Sequence, residues 1–174
     1  MLQADRAAGV ERSRLEVLKD LILAMLEYAG GQVKGKTRIH KGLFILKEDV
    51  DPDLVPADFE PSHYGPWSRE VEEAIKELVK EGLVERHVEP GGDESPAEVY
   101  ELTPAGRQRA RRVIEELQKR GDWKEIEAML KLATRAPLMS LLAFVYMFHP
   151  EYAERSRIRD KVRRYARRST FFLL

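Results

Sequence analysis

The sequence predicts a mainly helical fold carrying one small β-hairpin, and three observations lead there. Apolar residues recur at three- and four-residue spacings through most of the chain. One pair of stretches, 83–88 and 98–102, alternates instead, around a tip rich in Pro, Gly and acid. Directly after that pair, Thr103-Pro104 is a strong helix start, with Thr as N-cap and Pro in the first helical position. At 174 residues the chain suits one domain, or a small domain with an appendage, and is long enough to bury a real core.

In chain order, residues 1–11 carry no apolar period and read as a flexible N-terminal tail. Over 11–28, Leu15, Leu18, Ile22, Met25 and Leu26 follow helical spacing until Ala29-Gly30-Gly31 stops the run. A second helix reads 37–48, with Ile39, Leu43, Phe44 and Leu46 inward. Three prolines and five acids make 49–62 a loop. The helix over 67–81 turns Val71, Ala74, Ile75, Leu78 and Val79 inward and closes at Gly82. After the hairpin, helices are expected from Thr103 to about Arg120 and over 123–134, 137–148 and 156–168.

Three helices followed by a hairpin is the winged-helix arrangement, a helix-turn-helix variant whose third helix usually enters the DNA major groove. The expected organisation is therefore a tail over 1–11, a winged helix-turn-helix domain over 12–103, and a basic C-terminal helical extension over 104–174, expected to serve dimerisation.

Local strings carry a resemblance. Glu98-Val-Tyr-Glu-Leu-Thr-Pro-Ala-Gly106 is similar to the Y-x-L-T-x-x-G string that ends the wing in many winged-helix regulators. Lys41-Gly-Leu-Phe-Ile-Leu46, then Phe59-Glu-Pro-Ser-His-Tyr-Gly-Pro-Trp-Ser68, then 78–84 resemble the YwgA-like family of prokaryotic proteins and the related Panacea antitoxin domain. Leu141-Leu142-Ala-Phe-Val145-Tyr146 and His149-Pro150-Glu151-Tyr152 are similar to that family's C-terminal segment, so the resemblance covers about residues 13–162. It implies a winged-helix domain with a helical extension, and it brings no catalytic residues.

With 43% hydrophobic and 34% charged residues the chain is globular rather than disordered. The absence of cysteine excludes disulfides, thiolate zinc sites and a cysteine nucleophile. No apolar stretch near Met1 resembles a signal peptide, and the longest, 136–148, falls short of the about 20 residues that span a bilayer, so a cytoplasmic location without membrane contact is expected. Asn is absent, Gln occurs four times, and Arg (19) outnumbers Lys (11), a thermophile pattern. The formal charge balances at 30 against 30, but residues 1–100 carry −8 and 101–174 carry +8. Such asymmetry points to nucleic acid, an acidic protein partner or self-association between the halves.

Several motifs bear on chemistry. Gly30 to Thr37 satisfies the P-loop pattern G-x-x-x-x-G-K-[ST], but that mechanism needs a strand before the loop, and the preceding run has helical period. Asp49, Asp51, Asp53 and Glu60 mimic a calcium loop, with Leu54 where the sharp turn needs Gly. The four histidines lie apart on different elements, which argues against zinc. No nucleophile sits beside a base. Neither a cofactor nor a metal is expected, nor is enzymatic activity.

Nucleic acid remains. Lys34, Lys36, Arg38, His40 and Lys41 read as a basic cluster around the second helix. Tyr64, Trp67, Ser68, Arg69 and Lys76 are the expected contacts at and along the third, although its five acids disfavour a groove. Arg107, Arg109, Arg111 and Arg112 mark the post-wing helix, and eight basic residues from Arg155 to Arg168 crowd the last one. Among these, Arg107, Arg109, Arg163, Arg164 and Arg167 are the candidate phosphate contacts. The apolar end Phe171-Phe172-Leu173-Leu174 is expected to want burial against a partner chain. The resulting expectation is a DNA-binding winged-helix protein in the role of a transcription regulator, acting as a homodimer on double-stranded DNA. The alternative is an antitoxin-like or scaffold module that keeps the fold and binds an acidic protein instead.

Overall fold

The computed structural model describes residues 2–91 and 95–169, with side chains from Arg14 onward. Seven α-helices and a small three-stranded antiparallel sheet make up most of it. Helix α1 (Leu2–Tyr28) takes in most of the stretch expected as a tail. Its second half is buried on nearly every side, since Leu18, Lys19 and the run Leu21–Leu26 are all below 5% exposed. A helix apolar all round belongs in the middle of a bundle, and α1 touches each of the next four helices.

The chain then turns through Gly30 and Gly31 into strand β1 (Gln32–Lys34), a three-residue element with too little length to show a period. Helix α2 (Lys36–Asp49) follows and buries the continuous run Ile39–Leu46. The acidic, proline-bearing segment 50–68 is more than a loop. It buries Leu54, Val55 and Ala57 and closes with a tight hairpin, β2 (Glu60–Ser62) on β3 (Gly65–Trp67). Gly65 is required there: its φ is +90°, and a Cβ would sit 2.8 Å from the Tyr146 ring.

Helix α3 (Arg69–Lys80) starts on Ser68, whose Oγ accepts from the Val71 N–H, and buries Val71, Ala74, Ile75 and Leu78 as its spacing predicts. Strands β4 (Val84–Pro90) and β5 (Pro96–Leu102) form the expected hairpin. β1 pairs with β5, giving the sheet order β1-β5-β4.

Helix α4 (Pro104–Gln118) is capped by Thr103, which accepts from the Gly106 N–H. Gly106 has a second duty, because a Cβ there would lie 1.9 Å from the Leu83 carbonyl oxygen, so α4 and the turn between α3 and β4 approach backbone to backbone. Helices α5 (Trp123–Arg135) and α6 (Leu138–Phe148), one 3-10 turn (Pro150–Ala153) and α7 (Arg159–Arg168) complete the chain. Serine 156 to Ile158 precede α7 rather than belonging to it. One contiguous core holds Leu117, Ile126, Leu130 and Leu141 together with the buried residues of α1–α3. Among the described residues no helix is long and apolar enough to cross a membrane.

Candidate nucleic-acid interface

The basic string 34–41 does not fold into a basic surface. Lys36 Nζ and His40 Nε2 both reach Glu72 of α3, at 2.8 and 2.9 Å. His40 Nδ1 accepts from the Ser68 N–H at 3.2 Å, which leaves the proton on Nε2 and makes Nε2 the donor to Glu72. Burial pushes the imidazole pKa down to about 4, outweighing the Glu72 bond, so the ring is neutral near pH 7. Trp67 is half buried and stacks on the same ring, with centroids 6.0 Å apart. Ser68, besides capping α3, donates its hydroxyl to Glu70 at 3.0 Å and is 1% exposed. These groups fix α3 against α2.

Lys41 is 2% exposed, its ammonium donating to the Pro66 carbonyl at 2.9 Å inside the β2–β3 hairpin. Desolvation pushes its pKa down to about 7. Arg38 reaches across to the C-terminal end of α5 and donates to the Ala133 and Ala136 carbonyls at 2.6 and 3.0 Å. Those carbonyls have no intrahelical partner to find, so the guanidinium serves as a cap. Lys34 pairs with Glu89 at 3.2 Å across the sheet. The residues expected as one basic cluster over 34–41 are thus dispersed: Lys41 and His40 are buried, half-buried Arg38 caps α5, and Lys34 and Lys36 are ion-paired.

Three of the four arginines of α4 are answered as well, while Arg112 is exposed without an ion pair among the described residues. Arg109 bonds to Asp20 and Glu16 of α1, both at 2.7 Å, while Arg107 and Arg111 flank Glu27 at 3.4 and 3.2 Å. Part of the acidic excess before residue 100 and the basic excess after it thus cancel along the α1–α4 seam of a single chain.

The segment 154–168 differs. It holds Arg155, Arg157, Arg159, Lys161, Arg163, Arg164, Arg167 and Arg168 against Glu154 and Asp160. No ion pair joins any of the eight cations to the described residues, and all but the half-buried Arg159 are exposed. On α7 the helical repeat sorts them into two rows, Arg159, Arg163 and Arg167 on one side and Lys161, Arg164 and Arg168 on another. Its approach is pinned where the Arg157 N–H donates to the His63 carbonyl at 2.9 Å, at the tip of the β2–β3 hairpin. The next residue of that tip, Tyr64, is 51% exposed.

On α3, Arg69 is exposed and bonded to Glu73 at 3.3 Å, and Lys76 is exposed without an ion pair among the described residues. Lys76 faces a groove of about 300 Å³ between α3 and the β4–β5 hairpin, where Lys36, Arg86 and Tyr100 also lie. Arg86 is paired with Glu98.

The remaining motifs are accounted for by geometry. The P-loop-like string folds as a turn, β1 and the start of α2, with a helix before it. Asp51 closes its own turn by accepting from the Asp53 N–H at 2.9 Å and pairs with Arg120 at 2.7 Å. Among the described residues no group of three His, Asp or Glu converges as a metal site would need. The hairpin tip acids Asp93 and Glu94, and Phe171 to Leu174, lie outside the described residues.

What the sequence did not signal is the Lys36–His40–Glu72–Ser68 network, since nothing in the spacing of 36, 40, 68 and 72 says that two helices will bring them together. A scan against models of protein families finds no match, and no curated protein matches the chain.

Proposed function

We propose that this chain is a DNA-binding protein of the winged-helix type, a regulator similar in its motifs to the YwgA-like proteins, which holds duplex DNA chiefly through phosphate contacts from its C-terminal helix. The observation that carries the reading is the unanswered charge of 154–168: eight cations without an ion pair among the described residues, on a protein whose other arginine-rich helix has three of its four arginines ion-paired. Affinity for DNA comes mainly from phosphate neutralisation, and cations already engaged with carboxylates contribute little to it. Arg163, Arg164 and Arg167 accordingly stay as candidate contacts, joined by Lys161 and Arg168. Lys76 and Tyr64 are the exposed candidates nearest α3. The winged-helix reading draws support from the order of three helices and a hairpin, and from β1 adding to the hairpin's second strand. The segment 50–68 between α2 and α3 departs from the three- or four-residue turn of a simple helix-turn-helix.

The test is fluorescence anisotropy on a short duplex at about 50 and about 200 mM salt. Affinity should fall steeply with salt, and Arg164→Gln with Arg168→Gln should lower the log–log slope by about one per contact removed. Absence of binding at micromolar protein in the low-salt arm, or a slope untouched by the double substitution, would overturn the reading.

A second reading, a module that binds protein rather than DNA, is favoured by one surface. Helix α6 leaves Leu138, Met147 and Phe148 exposed, and its Phe144 and Phe148 rings pack 4.7 Å apart. A homodimer through this surface would persist at high salt, whereas a charge-driven one would dissociate; light scattering after size exclusion separates the two.

A further inference from the structure

We propose that the cleft between α6 and α7 binds a small amphipathic organic anion, an apolar body of about eight carbons bearing a carboxylate or phosphate. The cleft measures about 280 Å³. Its floor is apolar, from Ala143 on α6 and Val162 and Ala166 on α7. Its edge is cationic, because Arg159, Arg163 and Arg167 all line it.

Three features make this a place for such a ligand rather than for a bare phosphate. First, the three arginines recur every fourth residue along one edge, so an anionic head at the rim meets more than one guanidinium while its body lies on the floor. None of them has an ion pair among the described residues, so the anion displaces no carboxylate. Second, Met147 borders the cleft with half of its surface in water, and an apolar body seated there covers it. Third, the wall is held in place: the Tyr146 hydroxyl donates to Ser156 at 2.7 Å, joining α6 to the segment that leads into α7. A volume just below the roughly 300 Å³ lower end of ligand pockets fits a short chain and not a large cofactor. Arg163 and Arg167 serve both readings, but the proposal does not rest on DNA: the opposite row of α7, Lys161, Arg164 and Arg168, does not line the cleft, so the two readings fail separately.

The test is isothermal titration calorimetry of the full chain with octanoate, with acetate and octanol as single-feature controls. Octanoate should bind saturably, one per chain, with a dissociation constant below about 1 mM. Acetate and octanol should each be weaker by about tenfold or more. Arg163→Gln with Arg167→Gln, at exposed positions, should weaken octanoate by about tenfold, and Ala166→Leu, which fills the floor, should do the same. Circular dichroism confirms that both variants fold. Lys161→Gln with Arg164→Gln should leave octanoate affinity unchanged. Octanoate binding no tighter than acetate or octanol, non-saturable uptake, or equal loss in the Lys161/Arg164 variant would overturn the proposal.

Discussion

His40 Nδ1 takes a hydrogen bond from the Ser68 N–H and therefore cannot carry a proton while that bond stands. The folded state holds the ring neutral with a pKa of about 4, below its ordinary 6.5, so this contribution to stability is complete above pH 6.5 and is lost as pH falls towards 4. The loss amounts to about 3 kcal/mol at its limit. Urea unfolding at pH 7 and pH 4.5 should show the gap between wild type and His40→Gln narrowing at the lower pH. Lys41 gives a second signature. Its folded pKa near 7 lies below the ordinary 10.5, so the unfolded chain binds the proton that the folded one releases. Stability relative to Lys41→Met should rise between pH 7 and 10 by up to about 1.4 kcal/mol per pH unit. Neither site was legible beforehand. A lysine in a helix of mixed polarity looks like any surface lysine until the β2–β3 hairpin closes over it, and that hairpin is built by residues 60–67, more than fifteen positions further on.

At the scale of elements, the Y-x-L-T-x-x-G string acquires a cause. Its threonine is the cap of α4, and its glycine is the point where α4 meets the Leu83 carbonyl. Gly106→Ala should destabilise by about 1–3 kcal/mol through forced separation of the two backbones, measured as a fall in unfolding midpoint at unchanged m-value. Ser68→Ala, which removes the α3 cap, should take about 1 kcal/mol. The helices were readable because about three or more turns of apolar spacing cannot be mistaken; α3 buries four of the five residues expected inward, with Val79 half exposed. The short strands were not. β1 has three residues, and β2 and β3 contain Pro61 and Pro66, residues that count against a strand in any sequence. They pair with each other in a two-stranded ribbon of three residues each, and Pro61 and Pro66 stand opposite one another, so no ladder bond is asked of either missing N–H.

For the whole molecule, what the sequence displayed was the charge asymmetry, and what it concealed was where the asymmetry is settled. Nothing in a list of arginines separates those that lie over α1 from those that lie over nothing acidic; only the packing of α4 on α1 does so. A reciprocal outcome follows. Arg107→Gln with Arg109→Gln should lower stability by about 1 kcal/mol and leave DNA affinity nearly unchanged. Lys161→Gln, Arg164→Gln and Arg168→Gln together should leave the unfolding midpoint within about 0.5 kcal/mol of wild type and remove most of the affinity. Chemical denaturation and anisotropy on the same two proteins check both halves.

The pinning of Arg157 to the His63 carbonyl places the start of this cationic segment on one side of the fold, and its consequence is a matter of rates as much as of equilibrium. A concentrated positive field reaches about 10 Å at 0.1 M salt, so it turns the protein before any contact forms. Under the proposed function an anionic partner would arrive at the C-terminal side first, with an arrival rate that falls with salt and a departure rate, set by close contacts, that changes far less.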